Sequence, residues 1–296
     1  MAESSSQEQL IWASIVLYNP DLDMLARNLA AVSDQVDAVV VVDNGSKDEP
    51  ALRKFFQDQG RDKIHVIWNG ENQGIAAALN AALKKASEHH VNWLLTLDQD
   101  SVIPHEMIRR YKDYLDLPKV GQLCCVFFDP KYPDYPLSDM VPLGSPDYES
   151  EYAECSGCIT SGCLMNVPIA MKIGGFDARL FIDSVDYDYS FRLRGANYKI
   201  YRINSVKMEH HLGNGKKKHF LFLSYMDYRY SPQRSFYQSR NAVYMIRTYK
   251  QYTSIFRKTL IHGMMTSLLG GRFSAFGACL KGIRAGRKME VGHYAG

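Results

Sequence analysis

Runs of apolar residues along the chain alternate with amphipathic stretches, and the order predicted is strand, helix, strand, helix. Trp12-Ala13-Ser14-Ile15-Val16-Leu17-Tyr18 reads as a buried strand closed by Asn19-Pro20. Pro20 then starts a helical stretch in which Leu22, Leu25 and Leu29 recur at helical spacing. Ala38-Val39-Val40-Val41-Val42 is a second strand, apolar without interruption up to Asp43-Asn44-Gly45-Ser46. A run apolar on both faces fits a parallel strand covered by helices on both sides. A helix around residues 51–57, a strand at 64–68, a helix at 75–87 opened by Asn72-Gln73-Gly74, and a returning strand at 93–97 continue the pattern.

This βα repetition, with connections long enough for right-handed crossovers, predicts an α/β sheet of nucleotide-binding type over the first hundred or so residues. Ligands of such sheets sit beyond the carboxyl ends of the strands. Asn19, Asp43, Asn72 and Asp98 all fall on that rim. Neither Gly-x-Gly-x-x-Gly after the first strand nor a Gly-Lys-Ser/Thr loop occurs, so a phosphate-bearing ligand has to be held in another way.

Leu94-Leu95-Thr96-Leu97-Asp98-Gln99-Asp100 suggests how. If the strand continues through Asp100, carboxylates at i and i+2 share a face, where they repel unless a cation lies between them. Oxygen donors of this kind suit a divalent ion with open positions for phosphate. The alternative is an acidic turn capping a helix that begins near Pro104.

Beyond Phe127 the chain becomes loop-rich, with Pro130, Pro133, Pro136, Pro142 and Pro146 before Tyr152. A long irregular stretch within a domain is usually functional or mobile. Ordered sequence resumes at Ile159-Thr160-Ser161-Gly162-Cys163, and Gly174-Gly175-Phe176-Asp177 forms a turn. In Phe181-Ile182-Asp183-Ser184-Val185-Asp186-Tyr187-Asp188-Tyr189-Ser190-Phe191-Arg192, a helix beginning at Asp188 would pair Asp188 with Arg192 at i, i+4. Asp186 would then be left unpaired at a helix N-terminus, facing a cleft or serving as a cap.

With 296 residues, 46% of them hydrophobic and 23% charged, the chain falls in the globular class and is long enough for one large α/β domain or two modest ones. Met1 to Gln9 is polar and lacks the basic start and apolar core of a signal peptide, so export is not expected. Reduced thiols in a cytosol are the default for its six cysteines. Cys155-Ser156-Gly157-Cys158 offers half of a zinc site that no second pair completes, or a redox pair. The net charge of +3 conceals an asymmetry: Tyr228 to Met289 holds twelve Lys/Arg and no acid. A basic tail on an acidic body points to a polyanion or an anionic membrane surface. No nucleic-acid module accompanies it, so nucleic acid is not the expected partner.

Taken together, Leu17-Tyr18-Asn19-Pro20, Val42-Asp43-Asn44-Gly45-Ser46, Asn72-Gln73-Gly74-Ile75-Ala76, Asp98-Gln99-Asp100, Ser161-Gly162, Gly174-Gly175-Phe176-Asp177 and Asp186-Tyr187-Asp188 resemble the family 2 glycosyltransferases. The resemblance spans roughly residues 11–250. It implies the GT-A fold: a Rossmann-like, mostly parallel central sheet flanked by helices, here with a C-terminal helical extension. Within the family the chain looks most like bacterial dTDP-rhamnosyltransferases, through Leu97 to Ser101, Phe181 to Asp186, His210-His211-Leu212-Gly213 and Arg234 to Asn241. The domain organisation that follows is a frayed 1–10, a glycosyltransferase domain 11–250 and a basic amphipathic tail 251–296. Residues 11–100 form the nucleotide-binding half of that domain and 101–250 the acceptor-binding half.

Residue by residue, the resemblance implies that Asp43 hydrogen-bonds the base in a pocket lined by Tyr18 and Asn19, with Asn72 and Gly74 against the nucleotide. Asp98 would lie near the ribose and the metal, and Asp100 would ligate Mg²⁺ or Mn²⁺. Asp186 aligns with the general base, Asp188 and Arg192 shape its position, and one base without a covalent nucleophile implies inversion. The family often has Glu-Asp where this chain has Val185-Asp186, which leaves Asp183 and Asp188 as alternative proton acceptors. His210 matches a His-x-x-Gly and is assigned to the metal or a phosphate, a structural histidine being the alternative. Arg234 and Arg240 would meet the diphosphate of a polyprenyl-diphosphate-linked glycan.

The sequence thus reads as a metal-dependent inverting transferase moving L-rhamnose from dTDP-rhamnose to a cell-surface polysaccharide precursor. It would work on the cytoplasmic membrane surface, held peripherally by the tail. The rivals are the same fold with another donor, such as UDP-galactofuranose or a UDP-hexose, and a silent sugar-nucleotide-binding subunit.

Overall fold

In the computed structural model, residues 9–60, 62–128, 148–209, 216–220 and 223–292 are described. Four parallel strands make one half of the main sheet: β1 (Ile11–Leu17), β2 (Ala38–Asp43), β3 (Ile64–Trp68) and β4 (Trp93–Asp98). The other half holds β5 (Val120–Phe128), β6 (Tyr152–Cys155), β7 (Cys163–Asn166) and β8 (Lys199–Glu209). The order is β3-β2-β1-β4-β7-β5-β8-β6, with β7 antiparallel to both β4 and β5. A hairpin of β9 (Lys216–Phe220) and β10 (Leu223–Asp227) stands apart.

β2 shows why its apolar run is unbroken. Ala38, Val40 and Val42 enter one core, while Val39 and Val41 enter the other. The first core is covered by α3 (Ile75–Glu88), α5 (Val167–Lys172), α6 (Val185–Gly195) and α7 (Pro232–Thr248). The second is covered by α1 (Leu22–Ser33), α2 (Glu49–Gln59) and α4 (Met107–Lys112). Burying each Leu or Val in these layers contributes roughly 1.5–3 kcal/mol.

Several boundaries differ from the sequence pattern, each for a local reason. α1 starts at Leu22 rather than Pro20 because the Asp21 carboxylate accepts from Met24 N at 2.9 Å and caps the first turn. α4 starts at Met107 rather than near Pro104, after Glu106 in the left-handed region (φ 69°). α6 starts at Val185, three residues before Asp188, directly after Ser184 at φ 65°. β4 stops at Asp98, and Gln99-Asp100 is a turn in which Ser101 N donates to Asp98 O at 3.2 Å. Strand alternation therefore does not carry Asp100 onto the face of Asp98.

The C-terminal stretch packs on this body. α8 (Thr253–Leu269) places Phe256 in the first core, and just before it Tyr252 stacks on Phe191 of α6, ring centroids 4.1 Å apart. α9 (Phe273–Lys288) lies along α7 so closely that a Cβ at Gly282 would meet Phe236 O, and one at Gly286 would meet Arg240 O. Among the described residues no helix is long and apolar enough to cross a membrane.

Candidate active site

A cleft of about 530 Å³ opens where the carboxyl ends of β1, β2 and β4 meet the start of α3, the segment before α6 and the start of α7. The parallel strand ends supply Tyr18, Asn44, Asp98 and Asp100, and the α3 entry supplies Asn72 and Gly74. Asp183, Asp186 and Arg234 close the opposite wall. Most of the residues singled out from the sequence are thus brought to one place.

The nucleotide side is built on amide hydrogen bonds. Asn44 Nδ2 donates to Asn72 Oδ1 (3.1 Å), while Asn44 Oδ1 accepts from Asn69 Nδ2 and Gln73 N, each at 3.1 Å. Asn72 Oδ1 also accepts from Gly74 N at 2.9 Å. Gly45 makes this meeting of loops possible: at φ 81° its absent Cβ would lie 2.6 Å from Glu71 Cα. Gly74 (φ 87°) allows a second close approach, but to protein: a Cβ there would lie 2.6 Å from Phe181 O, which accepts from Ile75 N at 2.7 Å.

Asp43 and Asn19 are placed differently from expectation. The Asp43 side chain is wholly buried and turned back onto Ser46 N, 3.1 Å from Oδ2, so its neighbour Asn44 takes the cleft wall. Asn19, left-handed at φ 49°, accepts from Lys47 N at 2.9 Å and donates its own N–H to Ser46 Oγ at 2.8 Å. Both organise the rim rather than line the cleft. Tyr18 does line it, and its N–H donates to Gln99 Oε1 at 2.8 Å, tying β1 to the Asp98–Asp100 turn. Asn44 and Gln99 are the residues that sequence reasoning missed. Each stands inside a quoted motif beside an acid that attracted the chemistry.

Asp98 is anchored from behind by Ser161, whose Oγ accepts from Asp98 N at 3.1 Å. Asp100 reaches the same cleft through the turn. Among the described residues no three His, Cys, Asp or Glu side chains are grouped to hold a metal ion, and His210 lies outside the described residues. Two carboxylates on one cleft wall nevertheless fit a hard divalent cation that completes its shell with phosphate and water oxygens.

Asp186 is half-buried in the first turn of α6. Desolvation pushes its carboxyl up to about 6, against the pull of the Tyr187 N–H, which it accepts at 2.9 Å; the nearby charges of Asp183 and Asp98 push the same way as burial. A carboxylate poised near neutrality in a cleft suits proton transfer. Asp183 is instead held by Arg234, Oδ1 to Nη2 at 3.1 Å, and Asp188 does not reach the cleft. Asp188 is wholly buried, paired with Arg192 Nε at 2.8 Å and accepting from Tyr249 OH at 2.8 Å. Arg192 also donates to Ile173 O (2.8 Å) and Gly175 O (2.7 Å), which locks α6 to the Gly-Gly-Phe-Asp turn.

Arg240, expected at an acceptor phosphate, is turned elsewhere. Its guanidinium donates to the carbonyls of Arg179 and Leu180 and to Asn241 Oδ1, and it is absent from the cleft wall. The Cys155 and Cys158 thiols lie against other cysteines. Cys155 Sγ lies 3.8 Å from Cys124 Sγ and Cys158 Sγ 3.2 Å from Cys163 Sγ, all of them free and buried.

Residues 13–174 match the family model of glycosyl transferase family 2. The chain belongs to that family. A relative in Shigella flexneri, the dTDP-rhamnosyl transferase RfbF, is 30% identical over 248 residues, which cover 80% of each chain. This family 2 glycosyltransferase also shares its fold with the mannosyltransferase PcManGT of Pyrobaculum calidifontis, solved with GDP-Man and Mn²⁺. That likeness has a TM-score of 0.58 at 16% identity and covers 96% of this chain and 77% of the other. GalNAc-T7, solved with UDP, GalNAc and Mn²⁺, gives a TM-score of 0.56 at 13% identity over 69% of this chain. The family 2 chain spans 44% of GalNAc-T7, less than half of it. The open, mostly parallel sheet and these likenesses establish the GT-A fold expected from the sequence.

Proposed function

We propose that this glycosyltransferase moves L-rhamnose from dTDP-rhamnose, with inversion, to a hydroxyl of a lipid-linked or cell-surface polysaccharide precursor. The observation that carries the reading is that Asp186, held near neutrality, faces one cleft together with Asp98 and Asp100. The similarity to a dTDP-rhamnosyl transferase supports the donor.

Asn44, Asn72 and Tyr18 would bind the nucleotide, with Asp43 and Asn19 holding the loops that present them. Asp186 accepts the proton of the acceptor hydroxyl as its oxygen bonds to the anomeric carbon, and the bond from that carbon to the diphosphate oxygen breaks. With Asp186 as the base and no covalent nucleophile in the reading, displacement is direct. Mg²⁺ or Mn²⁺ at Asp98 and Asp100 would supply positive charge to the departing diphosphate. Arg234, which lines the cleft with Asp183 and Asp186, would attract acceptor phosphate, such as that of a polyprenyl-diphosphate-linked glycan, once its contact with Asp183 opens.

An anionic membrane surface is the proposed support for such an acceptor. Ile261, Leu268, Phe273 and Leu280 are exposed on α8 and α9 beside Arg257, Lys258, Lys281 and Arg284.

Asp186→Asn tests the reading, because it removes the base and keeps the shape. Transfer is expected to fall about 10²–10⁴-fold with donor binding intact. Full transfer by the variant would overturn the assignment.

A further inference from the structure

The segment that delivers Asp186 is in an unfavourable backbone conformation. Phe181 (φ 64°), Asp183 (φ 65°) and Ser184 (φ 65°) all lie in the positive-φ region, Phe181 at the centre of a γ-turn in which Ile182 N donates to Leu180 O at 2.7 Å, and none is glycine. Residues with side chains rarely adopt that region, and three within four positions persist only where the surroundings over-determine them.

One side chain does most of this. Asn241, in the middle of α7 and wholly buried, directs Nδ2 at three carbonyls of the segment: Leu180 O at 2.8 Å, Ile182 O at 2.7 Å and Asp183 O at 2.8 Å. A carboxamide has two N–H groups, so these bonds are shared among three acceptors. The orientation of the amide follows from its other end, where Oδ1 accepts from Arg240 Nε at 2.9 Å. Arg240 Nη2 adds a further bond to Leu180 O at 2.9 Å. From the start of α3, Ile75 N holds Phe181 O at 2.7 Å.

What this clamp fixes is the entry of α6. Ser184 O accepts from Asp188 N at 3.0 Å and opens the helix, with Asp186 in its first turn. A shift at Asp183 therefore displaces Asp186 directly. α7 also holds the Asp183 side chain, through Arg234.

We propose that Asn241 is a positioning residue for catalysis: by clamping the carbonyls of residues 180, 182 and 183 it sets where Asp186 stands against the acceptor hydroxyl. The proposal rests on Asp186 as the base. None of these hydrogen bonds of Asn241 reaches the Asn44–Asn72 network or the Asp98–Asp100 turn, so its loss is expected to lower turnover more than donor binding.

The experiment compares full-length Asn241→Leu, Arg240→Met and Asp186→Asn with the unaltered enzyme. It measures kcat, donor affinity by calorimetry with Mg²⁺ or Mn²⁺, and thermal unfolding. Displacing a reacting group by about an ångström costs on the order of 10²-fold in rate. Asn241→Leu is expected to lose about that much kcat, with donor affinity within about threefold. Arg240→Met removes the bond that orients the amide and lies at a half-buried position. It is expected to lose about tenfold in kcat at unchanged donor affinity, a fraction of the cost of a displaced group. If Asn241→Leu does not fold, Arg240→Met decides.

Unchanged kcat in folded variants, or kcat and donor affinity falling together, overturns the positioning role. Full activity in Asp186→Asn overturns the base assignment and this proposal with it. An inactive Asp186→Asn beside an unimpaired Asn241→Leu overturns the positioning role alone.

Discussion

Asp188 and Arg192, one helical turn apart on α6, form a buried ion pair at 2.8 Å, in the same helix that carries Asp186 into the cleft. Asp188 is further engaged by Tyr249 OH from the end of α7, and Arg192 by the carbonyls of Ile173 and Gly175. The pair thus joins α6 to two other parts of the chain, and its loss is felt as stability.

Arg192→Met leaves a buried carboxylate without its cation and is expected to cost about 3–5 kcal/mol of folding free energy. Burial raises the pKa of Asp188, and Arg192 and Tyr249 pull it back. Without Arg192, protonation relieves the buried charge. Denaturant melts should therefore show a smaller loss at about pH 5 than at about pH 7. An equal loss at both would show that Asp188 is already neutral in the native protein.

The pH profile is the second prediction. A general base works only when deprotonated, and burial holds Asp186 at about 6. The acidic limb of kcat/KM is expected near that value, with activity lost as pH falls through it. The stability sign is opposite. Because the folded pKa is raised, the contribution of Asp186 is present below the usual carboxylate range and lost as pH rises through about 6. Asp186→Asn should accordingly raise Tm at neutral pH while lowering transfer about 10²–10⁴-fold.

Removal of divalent cations is the third. Chelation should stop turnover, and Mg²⁺ or Mn²⁺ should restore it. Asp100→Asn and Asp98→Asn should each raise the metal concentration needed by about tenfold or more, since two carboxylates share the charge. Undiminished turnover in excess chelator would remove the metal from the account.

Membrane attachment is the fourth. Flotation with vesicles rich in anionic lipid should recover the enzyme at low salt and less of it at high salt. Neutralising Lys281, Arg284, Arg287 and Lys288 to Gln is expected to lower recovery, each charge contributing about 1 kcal/mol near such a surface. Recovery identical for both proteins would leave α8 and α9 as packing helices only.

The strand–helix order was legible because burial on both faces makes β2 a continuous apolar run up to Asp43. The Asp188–Arg192 pair was legible because its partners are a helical turn apart. Asp98 and Asp100 come to one cleft, but through a turn rather than through the strand alternation the sequence suggested. Arg240 looked like a phosphate ligand because a sequence does not show that neighbouring carbonyls will occupy a guanidinium. Asn241 was invisible as a clamp for a related reason: its partners lie about sixty positions away and are backbone atoms, which leave no trace in residue type.

Donor choice is the central claim, and one measurement addresses it most directly: release of nucleoside diphosphate by the purified enzyme, with metal, from dTDP-rhamnose, UDP-galactofuranose and UDP-hexoses. Consumption of dTDP-rhamnose is expected, with the UDP-sugars left intact. Turnover of a UDP-sugar with none of dTDP-rhamnose would contradict it.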